Sequence, residues 1–581
     1  MKFEIQKILE FHDLFPKEND LDVVKVLKKY DRLIIVKVVA VLGHSYGNAF
    51  IPDPNSTFFS EGSKGYVEDL NLRIEKVFRK YNIKKICYST IHTSLELMRI
   101  AFSIPVGDYQ NKGKAENVEY DLFRVILMLN ERLVVFSKDD AFPMDEILYF
   151  NQFATNDANN IDISQIYRAQ TYYVNELFNY LSKEQEELLH SFLGKWKLEH
   201  YEDYVRSIMF LFVLYESEKK QNRKGCPMLD LNTLKWKDNL FESQIADNLA
   251  IGVDEHIPYY SEDASNRDNN VDYRCFRSKP LVKVAKGQYY IYNVQLLIER
   301  IYNSLFFDLK DLWKKNNFFS YYNKDFVEQV LFRNTMKLCV RNDAWHLSYP
   351  TLKMIEDKVV EETDNQPDFY VRQGGSLVLF ECKAFKINGE LKDKGDADEL
   401  IKILKNKIYL SEKTLSKDRH KKTKPDRVGV TQLIKEMELI EDNEFEWDKN
   451  IPDAVDYYPI IVLEDPKIVQ PGLMSMVNGW TSDIMEEKLP GTICYPFIVM
   501  SIDTLFLYSE IFKHDGFPKI IQWFVRVNAT VDKKTGRWIV NPEADFNTYM
   551  QEHYKVSKVK VNTLMDILKS MLRNNADKSD S

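Results

Sequence analysis

Two carboxylates and a lysine lie close together in the stretch QPDFYVRQGGSLVLFECKAFK, residues 366–386: Asp368, Glu381 and Lys383. Between them sits Gly374-Gly375, a two-residue hairpin signal flanked by strand-forming residues, because glycine accepts positive φ. With those glycines as the loop, Gln373 faces Ser376, Arg372 faces Leu377, Tyr370 faces Leu379 and Asp368 faces Glu381. Strand alternation then sets Lys383 on the face of Glu381, while Val378, Phe380 and Cys382 point the other way into a core. Carboxylates directly opposite one another destabilise a strand pair. A hard divalent cation offsets that repulsion by taking carboxylate oxygens as ligands and letting both acids stay ionised. An ammonium beside it orients or activates a water, which completes the parts needed for metal-assisted phosphodiester hydrolysis. Two readings stand at this point: such a site, or an ordinary charged strand pair at a solvated edge. A register slip of one residue would separate the acids onto opposite faces.

The elements around the hairpin read as helix, strands, helix, strand. NKDFVEQVLFRNTMKL (323–338) predicts a helix capped by Asn323, with Asp325 in its first turn. Val327, Val330, Leu331 and Leu338 form its apolar stripe, and Glu328 borders that stripe, either reaching the sheet or simply flanking it. AWHLSYPTL (344–352) supplies a strand before Asp368. After Lys383 come the amphipathic helix VTQLIKEMELI (430–440), which carries Gln432, and the apolar runs YYPIIVLED (457–465) and YPFIVMSI (495–502), which have the length of buried strands.

In Pro367-Asp368 and Glu381-Cys382-Lys383, set in this element order, the chain resembles the PD-(D/E)XK nuclease superfamily over roughly residues 319–510. That group includes restriction endonucleases and many repair and phage-defence nucleases. The resemblance implies a restriction-endonuclease-like α/β domain with an αβββαβ core and a mixed sheet. It implies Asp368 and Glu381 as ligands of Mg²⁺, with Mn²⁺ able to substitute, and Lys383 as the group that positions or deprotonates the attacking water. Glu328 matches a glutamate that many members place on the first helix as a further metal or water ligand. Gln432 matches a polar residue that some place on the second helix. The exonuclease-like branch has a Tyr four residues after that Gln, where this chain has Glu436. The implied activity is a Mg²⁺-dependent nuclease, an endonuclease on DNA ahead of one on RNA, with foreign-DNA defence as the setting by analogy. An RNA nuclease with the same core, and a non-catalytic nucleic-acid-binding or assembly protein on a nuclease fold, stay open as alternatives.

Charge places the nucleic acid. The 581-residue chain has a formal net charge of −9, so it has no general attraction for phosphates and needs a local basic patch. Residues 383–427 hold 14 Lys or Arg against 8 Asp or Glu, densest at KDRHKKTKPDR (417–427). Lys417, Arg419, Lys421, Lys422, Lys424 and Arg427 are the candidate phosphate contacts, with Lys386 nearer the strand; a solvated basic loop is the equal alternative. His420, within that loop, is a poor general base.

The first 250 residues read mainly as helices, including 117–133, 163–183, 183–197 and 201–220, and LIIVKVVAVLG (33–43) is taken as a helix. His44, His92, His190 and His200 have no partners at metal-ligand spacing. The six cysteines are scattered, without CxxC pairs, which fits a reduced, cytoplasmic protein. No run reaches the length that spans a bilayer. The expected organisation is multidomain: a mainly helical recognition or regulatory half at 1–272, open to a protein partner or homo-oligomer; a bridging hairpin and helix at 273–318, turning at Lys286-Gly287; the nuclease-like domain at 319–510; an α/β extension at 511–570, with a hairpin at 528–540; and a disordered tail at 571–581.

Overall fold

The computed structural model describes residues 6–45, 64–81, 85–110, 117–132, 143–155, 163–221, 228–233, 240–258, 273–348, 351–355, 358–362, 366–387, 391, 396–412, 425–533 and 535–557. The tail at 571–581 and the basic residues Lys417, Arg419, Lys421, Lys422 and Lys424 lie outside them. Among the described residues, no helix is long and apolar enough to cross a membrane.

Buried apolar side chains gather in two cores, and a small sheet stands between them. The first core joins helices Arg32–Ser45, Ile91–Ser103 and Val118–Arg132. The wall is a four-stranded sheet made of Met228–Asp230, Gln288–Ile291, Leu281–Ala285 and Ala250–Gly252. Its alternating side chains divide between the cores: Val282 and Tyr290 enter the first, while Leu281, Tyr289 and Ile291 enter the second. The hairpin expected at 279–293 is therefore present, and it serves as a partition. The single helix expected after it is broken into Val294–Glu299 and Leu305–Leu312.

Helices Ile163–Glu184, Glu186–Trp196 and Tyr201–Gln221 share the second core with the C-terminal α/β region. Tyr172 stacks on Phe506 at 4.4 Å between ring centroids, Tyr173 Oη donates to Asp503 Oδ1 at 2.7 Å, and Asn334 Nδ2 donates to Glu176 Oε2 at 2.7 Å. The helical half thus does not stand apart as one body ending at 272. Periodicity in the sequence shows which face of a helix is apolar; it does not show what covers that face.

The C-terminal region holds the element order that positions the candidate site. A continuous helix spans 318–339 (α1), with Tyr321–Phe332 wound as a π-helix. It begins before Asn323, so that residue lies inside the helix and caps nothing. Strands Trp345–Ser348 (β1), Phe369–Gln373 (β2) and Ser376–Lys383 (β3) follow. Past an inserted helix, Ala397–Leu404, and the short strand pair Leu410–Glu412 and Pro425–Arg427 come helix Val430–Glu441 (α2), strand Asp456–Leu463 (β4), helix Leu473–Lys488 (α3), strand Ile498–Ser501 (β5) and, after two short helices, helix Phe517–Asn528 (α4). The sheet order is β5-β4-β3-β2-β1, parallel from β5 to β3 and antiparallel from β3 to β1. The strand expected at 344–352 stops at Ser348; Thr351–Ile355 pairs instead with Lys358–Glu362 in a separate hairpin. Beyond 510, the strands Ala529–Val531 and Trp538–Val540 form the expected hairpin.

β3 and β4 are buried along nearly their whole length, as parallel strands covered on both faces must be. Phe380 meets Phe332 of α1 and Phe517 of α4, so those helices cover one face. α2 lies against β3 and β4 from the face of Glu381. The β2–β3 register pairs Gln373 with Ser376, Arg372 with Leu377 and Tyr370 with Leu379, as the Gly-Gly loop requires. Only Gly374 has a left-handed φ, +61°, and a Cβ there would meet nothing within 4 Å. We therefore expect Gly374→Ala to cost about 1 kcal/mol through backbone strain alone, and Gly375→Ala to cost less. Urea denaturation of the two variants measures the difference.

Candidate functional site

β3 ends in the candidate site. Its ladder with β2 closes at Phe369–Phe380, and Asp368, the next residue, lies beside Glu381. Asp368 turns one carboxylate oxygen back onto the strand, where Oδ2 accepts from the Cys382 N–H at 2.8 Å. Glu381 is 1% exposed. Its Oε1 accepts from the Lys383 ammonium, while its Oε2 is buried with no hydrogen-bond partner. Cys382 faces the core and is fully buried, and that burial pushes its thiol well above the ordinary range. It is a packing residue, with no reactive character.

Two helices bring further carboxylates to these three residues. Glu328 on α1 lies by the Ala384 N–H, within electrostatic reach of Lys383 and Asp368. Burial chiefly, with Asp368 adding to it, raises its carboxyl to about 7 against the pull of Lys383. On α2, Gln432 is half-buried and leans on Glu436, one turn further along. Glu436 is fully buried, and neither of its oxygens has a hydrogen-bond partner of sound geometry. Burial and then the charges of Glu381 and Asp368 push its carboxyl well up.

In the sequence, Glu436 stands out only as a departure from the exonuclease-like pattern. A signal was nonetheless present: position 436 is three residues after Leu433 and four before Ile440, so it falls on the apolar stripe of its helix. The start of α2 is fixed by Gly429, whose φ is +53° and whose Cβ would fall 2.0 Å from the Ile408 carbonyl oxygen. On the neighbouring strand, Tyr370 Oη and Arg372 Nε both donate to Asp448, at 3.1 and 2.6 Å, which ties β2 to the segment following α2.

All four carboxyls shift in one direction. Burial raises Glu381 well above its ordinary value, and Asp368 beside it adds to the effect. Burial raises Asp368 too, against Lys383 and the Cys382 N–H. For Lys383, burial opposes the charge, but Glu381, Asp368 and Glu328 outweigh it and hold the ammonium protonated. One ammonium cannot neutralise four carboxylates, two of them fully buried and two half-buried, so the cluster favours retained protons unless a cation enters. The donor set suits a hard ion: the acids are oxygen ligands, and Glu381 and Glu436 have oxygens with nothing else bound to them. Among the described residues, no three His, Cys, Asp or Glu side chains already stand grouped as the ligands of an ion. The Lys383–Glu381 pair and the Asp368–Cys382 bond hold the oxygens that an ion would take.

The expected phosphate contacts fare unequally. Arg427 is exposed on the short strand Pro425–Arg427, at the base of the basic loop. Lys386 does not face outward. Its Nζ donates to Glu464 Oε2 at 2.6 Å and lies 3.5 Å from Asp465 Oδ2, with Glu464 itself only 3% exposed. The acids at the end of β4 hold Lys386 where a phosphate was expected. We expect Lys386→Met to cost about 3 kcal/mol, the scale of leaving a buried carboxylate unpaired, while nucleic-acid affinity stays unchanged in a filter-binding assay.

Glu328 makes a pH-dependent contribution. Its folded value of about 7 lies above the ordinary 4.5. Between those values the folded chain holds a proton that the unfolded chain releases, so stability falls as pH rises across the window. With EDTA present, Glu328→Gln is expected to flatten the decline between pH 4.5 and 7; denaturation midpoints across that range measure the slope. Comparison of the chain with family models, with curated proteins and with solved structures finds no match.

Proposed function

We propose that this protein is a divalent-cation-dependent nuclease that hydrolyses phosphodiester bonds, with DNA as the favoured substrate. The observation that carries the reading is the meeting of Asp368 and Glu381 across one strand pair, both buried or partly buried, with the ammonium of Lys383 lodged against Glu381. The helix–three strands–helix–strand order, with the helix Ala397–Leu404 and a short strand pair inserted before α2, and the mixed sheet support a restriction-endonuclease-like domain.

In this reading Asp368 and Glu381 hold the cation, and Glu328 stands ready as a further ligand or a hydrogen-bond acceptor for water. Mg²⁺, or Mn²⁺ in its place, supplies Lewis acidity and a bound water of lowered pKa when it is present. Lys383 is held protonated by its neighbours. In that state it is a donor that orients the water or stabilises charge on the phosphate; a cation that takes up the charge of Glu381 and Asp368 would weaken the hold on its proton and let it act on the water as well. Gln432 lies beside Glu436 and orients that side of the site. The strand face is otherwise apolar, with Leu377 and Leu379 fully buried, so the carboxylates act in surroundings that strengthen electrostatic effects. Arg427 and the basic residues that precede it in the sequence supply charge for phosphates, which would make affinity dependent on salt and independent of sequence.

The test uses purified protein with plasmid, linear double-stranded DNA, single-stranded DNA and RNA, each with Mg²⁺ or with EDTA. Cleavage of DNA that requires Mg²⁺ is expected. Lys383→Ala and Asp368→Asn are each expected to slow it by at least about 100-fold, the scale of losing one positioned catalytic group. Wild type that cuts no substrate with either Mg²⁺ or Mn²⁺, or Lys383→Ala that cuts as fast as wild type, would rule the assignment out.

A further inference from the structure

Glu436 has no role in the pattern that suggested a nuclease, yet it is as deeply buried as Glu381. It is a carboxyl with no exposed surface, on the buried stripe of α2, and neither oxygen has a hydrogen-bond partner of sound geometry, the side chain of Gln432 being the one donor that leans on it. Burial of an unpaired ionisable group is strongly unfavourable unless something binds it. A side chain that only filled the core at this position would be leucine or methionine, as at Leu433 and Met437 on the same helix. The groups close enough to act on Glu436 are Glu381, Asp368, Gln432 and Lys383. Glu381 Oε2, also buried and without a partner, belongs to that same group.

We propose that Glu436 is a cation ligand of this site, meeting the ion from helix α2 while Asp368 and Glu381 meet it from the strands. The inference rests on reading the site as a divalent-cation centre and adds a ligand to it. Two geometric facts support it: both oxygens are buried without a hydrogen-bond partner of sound geometry, and α2 packs on β3, held there by the close approach of Gly429 to Ile408. The carboxyl also lies within electrostatic reach of Glu381 and Asp368. Three carboxylates from two strands and a helix would grip a hard ion more firmly than two from the strands alone. A helix-borne ligand also ties occupancy of the site to the seating of α2 and of the basic segment that leads into it.

The test is Mn²⁺ binding, read by the electron paramagnetic resonance signal of free Mn²⁺, on wild type, Glu381→Gln, Glu436→Gln and Glu436→Asp. Glu436→Gln is expected to bind Mn²⁺ at least about tenfold more weakly, no less than the loss of a supporting outer group costs. Glu436→Asp should fall between it and wild type. Thermal unfolding in EDTA should show Glu436→Gln at least as stable as wild type, because a buried carboxyl among carboxyls is removed. Wild-type affinity retained in Glu436→Gln overturns the inference and leaves the nuclease reading standing if wild type cuts DNA. Weakened binding in a protein whose wild type cuts nothing keeps Glu436 as a ligand and removes the nuclease reading. No Mn²⁺ bound by wild type overturns both.

Discussion

Like charge confined at the end of one strand is the constraint on which the rest of this structure turns. Asp368, Glu381, Glu328 and Glu436 share a largely buried space with a single ammonium, Lys383. Solvent cannot dilute their repulsion there, and each carboxyl is displaced toward its protonated form. The Lys383–Glu381 pair is the main internal relief, and the Cys382 N–H on Asp368 is a smaller one. An arrangement of this kind lowers stability, and a protein that only needed a core would place apolar residues there. The cost makes sense if the cluster has a cation to bind.

The scaffold keeps the cluster from relaxing. β3 is hydrogen-bonded on both sides, by β2 and by β4, so Glu381 and Lys383 cannot withdraw along the strand. The loop at Gly374 sets the register that brings Asp368 beside Glu381. Asp448 clamps Tyr370 and Arg372 of β2, and Gly429 lets α2 come close enough for Glu436 to reach the same face. The N-terminal helices contribute from further away. Those at 163–221 pack into the same core as the sheet, and a partition of four short strands separates that core from the first one. They therefore buttress the α/β region from behind the sheet's own core.

The hairpin was legible because its information is local. Two glycines and strict alternation determine which side chains face each other, and the observed register follows that count residue by residue. The buried strands β4 and β5 were legible as continuous apolar runs. What escaped was long-range. Glu328 borders its stripe in the sequence, but only the fold shows the Ala384 N–H beside it. Lys386 resembles any lysine near a basic segment until β4 delivers Glu464 and Asp465 to it. Glu436 carried a visible signal, a charge on an apolar stripe, yet its meaning needed the strand it packs against. The extent of the second core was hidden for the same reason: amphipathicity marks a face without naming its partner.

Anomalous diffraction from crystals soaked in Mn²⁺ tests the cation site most directly. An anomalous peak is expected between Asp368 and Glu381, on the side facing α2, with the Lys383 ammonium moved off Glu381. Crystals that diffract well in saturating Mn²⁺, show no peak at that position and keep the Lys383–Glu381 pair intact would contradict it.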